Sequence, residues 1–209
     1  MLSKRLKAIA SLIDDNNVID IGCDHAFLDI YLTLQGKVCT AIDNKESVLN
    51  YARFNINKYN LSDKIKVILS NGLNDYKINK NETVVIAGMG TRTIIDILKN
   101  EQFQYVNTLI IQSNNELEKL RKYLTGSGYY IEDEKVVYEK KYYVIMKLKR
   151  GFKKYRKIEY KYGPIAIKNK EYLNYNINKL TELYNRVPKK NLFKRIKVKK
   201  MLKELSKIA

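Results

Sequence analysis

Val18-Ile19-Asp20-Ile21-Gly22-Cys23-Asp24-His25-Ala26 is the stretch on which the fold turns. Its first four residues, three of them apolar and β-branched, read as a short strand that Gly22 ends. A helix follows from about Ala26 to Leu34, so the stretch opens a βαβ unit, and such a unit binds its ligand at the carboxyl ends of its strands. Upstream, Leu6, Ile9, Ala10 and Ile13 lie at helical spacing in an opening helix. Downstream, the pattern predicts strands at Val38 to Ile42, Ile65 to Leu69, Thr83 to Ala87 and Thr108 to Gln112, with helices at Ser47 to Tyr59, Arg92 to Lys99 and Glu116 to Leu124. Apolar strands without clean alternation suit a parallel sheet covered on both faces. Two longer strands, Tyr130 to Tyr138 and Tyr142 to Lys149, are joined through Glu139-Lys140-Lys141 as an antiparallel hairpin. The expected class is α/β, an open doubly wound sheet of five parallel strands with a terminal antiparallel hairpin.

Composition narrows the function. A chain of 209 residues that is 45% hydrophobic buries a real core and is not a disordered protein. No run approaches eighteen uninterrupted apolar residues, and the start leads into an amphipathic pattern, so a cytoplasmic protein without a membrane partner is expected. Cys23 and Cys39 are too few for a disulfide framework, and with a single histidine no four-ligand zinc site is expected. The charge is uneven: residues 1–149 carry 21 basic against 18 acidic residues, net +3, whereas residues 150–209 carry 19 against 4, net +15. Clustered cations gain affinity by releasing counterions from phosphates, which points to a nucleic acid held by the tail. The strongest patches are Phe152-Lys153-Lys154-Tyr155-Arg156-Lys157 and the run from Lys194 and Arg195 through Lys199 and Lys200. A lysine excess also accompanies an A+T-biased coding sequence, but such a bias leaves the asymmetry unexplained. In the tail, Leu173, Ile177, Leu180, Tyr184 and Val187 form a heptad stripe, Pro188 breaks it, and Val198, Leu202, Leu205 and Ala209 form a weaker one. Two antiparallel helices packed on each other in a monomer are expected, with a dimer seam as the alternative.

The candidate chemistry lies in the loops after the strands. One glycine at Gly22, where dinucleotide-binding folds carry three, disfavours a nicotinamide or flavin cofactor. Asp24 brings negative charge to the helix start, where a pyrophosphate would be repelled and a cation welcomed. S-adenosylmethionine, with its sulfonium and amino group, is such a ligand. Asp43, roughly twenty residues on, can accept both ribose hydroxyls. Asn44 adjoins it, Asn71-Gly72 follows the third strand, and Ala87-Gly88-Met89-Gly90 follows the fourth. Each fragment alone is an ordinary cap or turn. At successive strand ends they make a site, with Asp20, Gly22, Asp24 and His25 as its first loop. His25 is expected to shape that loop, and Cys23, without a partner base, has no nucleophilic role.

Asp20-Ile21-Gly22-Cys23-Asp24-His25-Ala26 with Leu28, Ile86-Ala87-Gly88-Met89-Gly90, and Gln112-Ser113-Asn114 together resemble the bacterial tRNA adenine-N1 methyltransferases that act on the adenine at position 22 of tRNA. The resemblance covers residues 3–149 and reaches the tail at Tyr162-Gly163-Pro164, a turn opening a coiled-coil-like appendage. Asp43, Asn71 and Thr91 stand where that family tends to carry glutamate, aspartate and glycine. The resemblance implies a Rossmann-like S-adenosylmethionine-dependent methyltransferase over residues 1–149 and a helical tRNA-binding domain over residues 150–209. It implies in-line displacement by adenine N1, a flipped target base, and Gln112, Ser113 and Asn114 at the base pocket. Three alternatives stand beside it: methylation of another RNA, methylation of a small molecule or protein, and a non-catalytic RNA-binding protein of the same fold.

Overall fold

Buried β-branched runs flanked by amphipathic helices produce a three-layer architecture in the computed structural model, which describes residues 2–79 and 81–208. The chain forms two compact units, residues 1–154 and 155–209. In the first, the order is α1 (Lys4–Ala10), β1 (Asn17–Ile21), α2 (Phe27–Leu34), β2 (Val38–Asp43), α3 (Glu46–Lys58), β3 (Ile65–Leu69), β4 (Glu82–Met89), α4 (Thr91–Leu98), β5 (Thr108–Ser113), α5 (Leu117–Gly126), β6 (Tyr129–Glu139) and β7 (Lys141–Arg150). The sheet order is β3-β2-β1-β4-β5-β7-β6. The first five strands in that order pair in parallel, and β7 joins β5 and β6 antiparallel.

Consecutive residues Val18 and Ile19, and Leu109, Ile110 and Ile111, are all buried, so both faces of the central strands are covered. The chain turns from β1 toward β2 on one side and toward β4 on the other, and the crevice at this switch point is where a doubly wound sheet takes its ligand. Ser3 caps α1, its hydroxyl accepting from Leu6 N at 3.2 Å. The helix stops at Ala10, earlier than the Ile13 stripe predicted; Leu12 and Ile13 are still buried, but in a turn that bonds back to Ile9 and Ala10. The β6/β7 hairpin closes more tightly than expected. Glu139 pairs with Lys141, leaving Lys140 alone at the tip with φ +62°. Behind β6, the Arg121 guanidinium of α5 meets the Glu134 carboxylate through Nε at 3.0 Å and Nη2 at 2.9 Å, with both side chains completely buried.

The second unit holds α6 (Lys157–Tyr162), a 3₁₀ turn at Ala166–Lys168, α7 (Lys170–Arg186) and α8 (Leu192–Ser206). The two expected helices are α7 and α8; α6 and the 3₁₀ turn are additional, too short to leave a period in the sequence. Tyr162, Ile167, Leu173, Leu180, Val198 and Leu205 make one buried cluster, with Ile177, Tyr184 and Leu202 packed against it. The heptad stripe therefore joins the hairpin to itself. Ala209, the last member of the weaker stripe, lies outside the described residues. Among the described residues no helix is long and apolar enough to cross a membrane.

Candidate active site

The end of β1 is in register with Ile42 of β2 and Ile86 of β4, and the loop beyond it bends over β2. Gly22 N and Cys23 N both donate to Ile42 O, at 2.7 and 3.1 Å. Gly22 has φ +78°, and a Cβ there would lie 2.1 Å from Met89 Cε. The positive φ is what favours glycine here, since the close neighbour is the flexible end of Met89, which can swing aside. Asp24 and Ala26, φ +51° and +56°, are also left-handed. Two such non-glycine residues in one short loop store strain of the kind found where ligands are held.

These loops enclose a cleft of about 300 Å³. Asp20, Gly22, Asp24, His25, Asp43, Ala87, Gly88 and Met89 line it together, with Arg5, Leu6, Cys23, Phe27 and Leu28. Asn44, Asn71, Gly72 and Gly90 do not line it. Asn44 follows Asp43 at the rim, the Asn71-Gly72 turn lies just past Ser70, whose N–H donates to Asp43 O at 3.0 Å, and Gly90 caps α4. Asp43 Oδ1 accepts from Lys45 N at 3.1 Å, which orients the carboxylate and leaves Oδ2 without a partner among the described residues. His25 lies against the Phe27 ring, centroids 5.8 Å apart, and edge-on to Tyr51 at 5.5 Å; its Nε2 is 3.6 Å from Asp24 Oδ1.

The β4 and β5 ends are tied into one rigid piece. Gln112 is fully buried; its Oε1 accepts from Gly88 N at 3.1 Å and Arg5 Nη1 at 2.9 Å, and its Nε2 donates to Asn114 Oδ1 at 3.3 Å. Asn114 is exposed, and its Nδ2 donates to Gly88 O at 2.7 Å. Thr91, also fully buried, donates through Oγ1 to Asn115 O at 2.7 Å and through its backbone N–H to Asn115 Oδ1 at 2.9 Å. A glycine there would lose the hydroxyl contacts. Neither Gln112 nor Asn114 lines the cleft; both reach its lining through Gly88. The geometry separates two residues that the sequence placed side by side: Gln112 is buried, whereas Asn114 is exposed and keeps one N–H and a carbonyl lone pair.

The donor set fits S-adenosylmethionine. Asp24 and Asp43 offer negative charge to a sulfonium and an amino group, Asp20 joins them when ionised, Arg5 is the one Lys or Arg among the described residues lining the cleft, and Leu6, Phe27 and Leu28 supply apolar wall. Arg5 gave no sequence signal beyond its place in the opening helix. Asp29 did: α2 reads FLDIYLTL, apolar nearly all round, so an acid inside it has to be buried. It is 0% exposed, and neither oxygen has a conventional donor; the charge set against it is that of Asp20. Burial pushes both carboxyls above the usual range; the Asp20 charge raises Asp29 further, whereas at Asp20 the facing Asp29 carboxyl and the Arg5 charge partly offset the effect. A raised folded-state value stabilises the fold below the ordinary carboxylate range and loses that contribution as pH rises. The Asp29→Asn variant should therefore melt with the parent near pH 4 and increasingly above it as the pH rises through neutrality. A gap that stays constant across this window in thermal melts would refute the buried-proton account.

In the tail, Lys153, Lys154, Lys194 and Lys199 are exposed, and Arg156 contacts Glu159 at 3.3 Å. Arg195 is occupied differently. Its Nη1 donates to Val187 O at 2.9 Å and Tyr184 O at 3.3 Å, and its guanidinium lies 4.1 Å from the Tyr184 ring centroid, capping the end of α7.

Residues 2–146 match the family model of a methyltransferase domain. A tRNA (adenine(22)-N(1))-methyltransferase of Bacillus subtilis is 32% identical over 143 residues, 66% of this chain and 60% of that protein. Among solved structures, M. capricolum TrmK in complex with S-adenosyl-homocysteine is 32% identical, with 99% of this chain and 97% of that chain covered and a TM-score of 0.83. The B. subtilis M1A22 tRNA methyltransferase TrmK is 25% identical over 100% of this chain and 98% of its own, with a TM-score of 0.82.

Proposed function

The chain belongs to the bacterial tRNA adenine-N1 methyltransferase family, and from that membership we propose that it methylates N1 of the adenine at position 22 of tRNA, using S-adenosylmethionine. The observation that carries the reading is the acidic cleft at the sheet's switch point, with the exposed Asn114 amide held on Gly88 of its lining. When bound, S-adenosylmethionine supplies an electrophilic methyl carbon. Adenine N1 has a free lone pair, so the chain needs no strong base ahead of attack, and its residues supply orientation and charge. Asp43 accepts the ribose hydroxyls, and Asp20, Asp24 and the Gly22 and Gly88 turns hold the polar end of the cofactor, with Arg5 on its carboxylate. Asn44, Asn71 and Gly72 frame the rim, and Met89 and Gly90 the side facing the base.

Asn114 hydrogen-bonds the edge of the extruded adenine with its remaining N–H and lone pair. Gln112 is a positioning residue: it holds Asn114, Gly88 and Arg5 in register. His25 packs the cofactor loop through Phe27 and Tyr51. Residues 1–149 form the catalytic domain, and residues 150–209 hold the body of the tRNA through cations such as Lys153, Lys154, Arg156, Lys194 and Lys199, while Arg195 shapes the hairpin. The protein works as a cytoplasmic monomer.

Labelled-methyl transfer to unmodified tRNA tests the assignment of roles. Asn114→Ala should lower kcat by about tenfold, the worth of one hydrogen bond to the reacting base, with cofactor affinity unchanged. If Asn114→Ala and Gln112→Ala both turn over at the parental rate, the base-pocket assignment falls.

A further inference from the structure

The apolar residues of α8 fall on two faces. Val198 and Leu205 are buried in the hairpin core. Leu192, Phe193 and Ile196, on its first turn, are 67%, 83% and 67% exposed. Positions i, i+1 and i+4 make one patch at the tip of the hairpin, next to the loop that follows α7. Exposing one such residue is ordinary; exposing three together, Phe193 almost entirely, marks a contact surface.

The surroundings select the partner. Between Glu182 and Glu204 the chain carries nine Lys or Arg and no acidic residue. Lys189, Lys190, Lys194 and Lys197 are exposed around the patch. Asn191 caps α8, accepting from Lys194 N at 3.1 Å, but no acid sits in the first turn to offset the helix's positive end. Like charges crowded at that end cost folding stability and are relieved only by an external anion. An aromatic ring ringed by such cations matches a ligand that offers phosphates and a π-face at adjacent points, which is an unpaired nucleotide. Duplex RNA keeps its base faces stacked and out of reach of a ring.

We propose that the tip of the α7–α8 hairpin is a base-stacking site, in which Phe193, flanked by Leu192 and Ile196, packs on an unstacked base of the tRNA while Lys189, Lys190, Lys194 and Lys197 bind the phosphates beside it. This inference rests on the reading of tRNA as substrate. It gives the tail a shape requirement as well as a charge requirement: an RNA with an exposed base at the right distance binds better than a uniform duplex.

The chain has no tryptophan, so Phe193→Trp in the full-length protein is a unique reporter at an exposed position. Its emission should be quenched on adding unmodified tRNA, and parental affinity should be kept because the ring is kept. Phe193→Ala should weaken tRNA binding about tenfold without changing the slope of log affinity against log salt. Lys194→Ala should lower that slope by about one. Unquenched emission at saturating tRNA, or an unchanged affinity for Phe193→Ala, overturns the stacking site. So does a blue shift with anionic phosphatidylserine vesicles but not with tRNA, which would make the tip a membrane contact, or a concentration-dependent shift in protein alone, which would make it a self-association face. If lysine variants change the affinity and salt slope while both Phe193 variants behave as the parent does, only the stacking inference fails. If neither set changes tRNA binding, the assignment of the tail to tRNA fails as well.

Discussion

Asp43→Ala is expected to lower S-adenosylmethionine affinity by about 100-fold while leaving the fold in place. Asp43 ends β2 at the cleft, half-buried, with Lys45 N fixing Oδ1 and Oδ2 directed by that bond. A carboxylate held in this way accepts two hydroxyls of a ribose, and each charge-assisted bond contributes about 1.5–3 kcal/mol. Partial exposure trims the pair to roughly 3 kcal/mol, which is the 100-fold expected. The Asn variant keeps the shape but loses the charge and presents N–H groups to hydroxyls that also donate, so it should fall between parent and Ala. Calorimetric titration reads the difference directly, and in turnover the loss should lie mainly in the KM for the cofactor. A dissociation constant within about threefold of the parent would remove Asp43 from the site.

The largest effect on stability is expected at Glu134. Its carboxylate and the Arg121 guanidinium are both completely buried, and each takes over part of the role of water for the other. Glu134→Ala removes the carboxylate that this buried guanidinium meets between α5 and β6, at a cost of about 3–5 kcal/mol. For a unit of this size that corresponds to a drop of roughly 10 °C in Tm. The pair as such contributes far less than either half costs to remove. Replacing both residues by leucine should therefore recover most of the loss, because no buried charge remains. Single variants that melt within about 2 °C of the parent, or a double variant as unstable as the singles, would contradict this.

The alternation of strands and helices was legible because each central strand is a short β-branched run and each helix keeps an apolar period. The doubly wound class followed from that alternation; the order β3-β2-β1-β4-β5-β7-β6 did not, because other orders share the same alternation. The cleft was legible in its loops, since Asp20, Gly22, Asp43 and the Gly88 turn each sit immediately after a strand, where the topology collects ligands. What the sequence concealed is contact between distant segments. Arg5 enters the cleft because α1 packs against β6, where Lys4 N and Arg5 N donate to Glu139 and the Arg5 guanidinium reaches Gln112, and nothing in Leu6-Ile9-Ala10-Ile13 tells where that helix docks. Gln112 and Asn114 are two residues apart and chemically alike, yet one is at the end of a buried strand and the other beyond it. Arg195, one cation in a basic run, is distinguished only by reaching the carbonyls at the end of α7. Phe193 was hidden for the opposite reason: an apolar residue in a helix is expected to be buried, and only coordinates show that it is not.

The most direct test is to incubate the protein with S-adenosylmethionine and unmodified tRNA transcripts, digest the RNA, and map added methyl groups by mass spectrometry. The result expected is N1-methyladenosine at position 22 and at no other adenine. Methyl transfer at a different position would keep the reaction and contradict the site, and no transfer to any tRNA by a protein that still binds the cofactor would contradict the function itself.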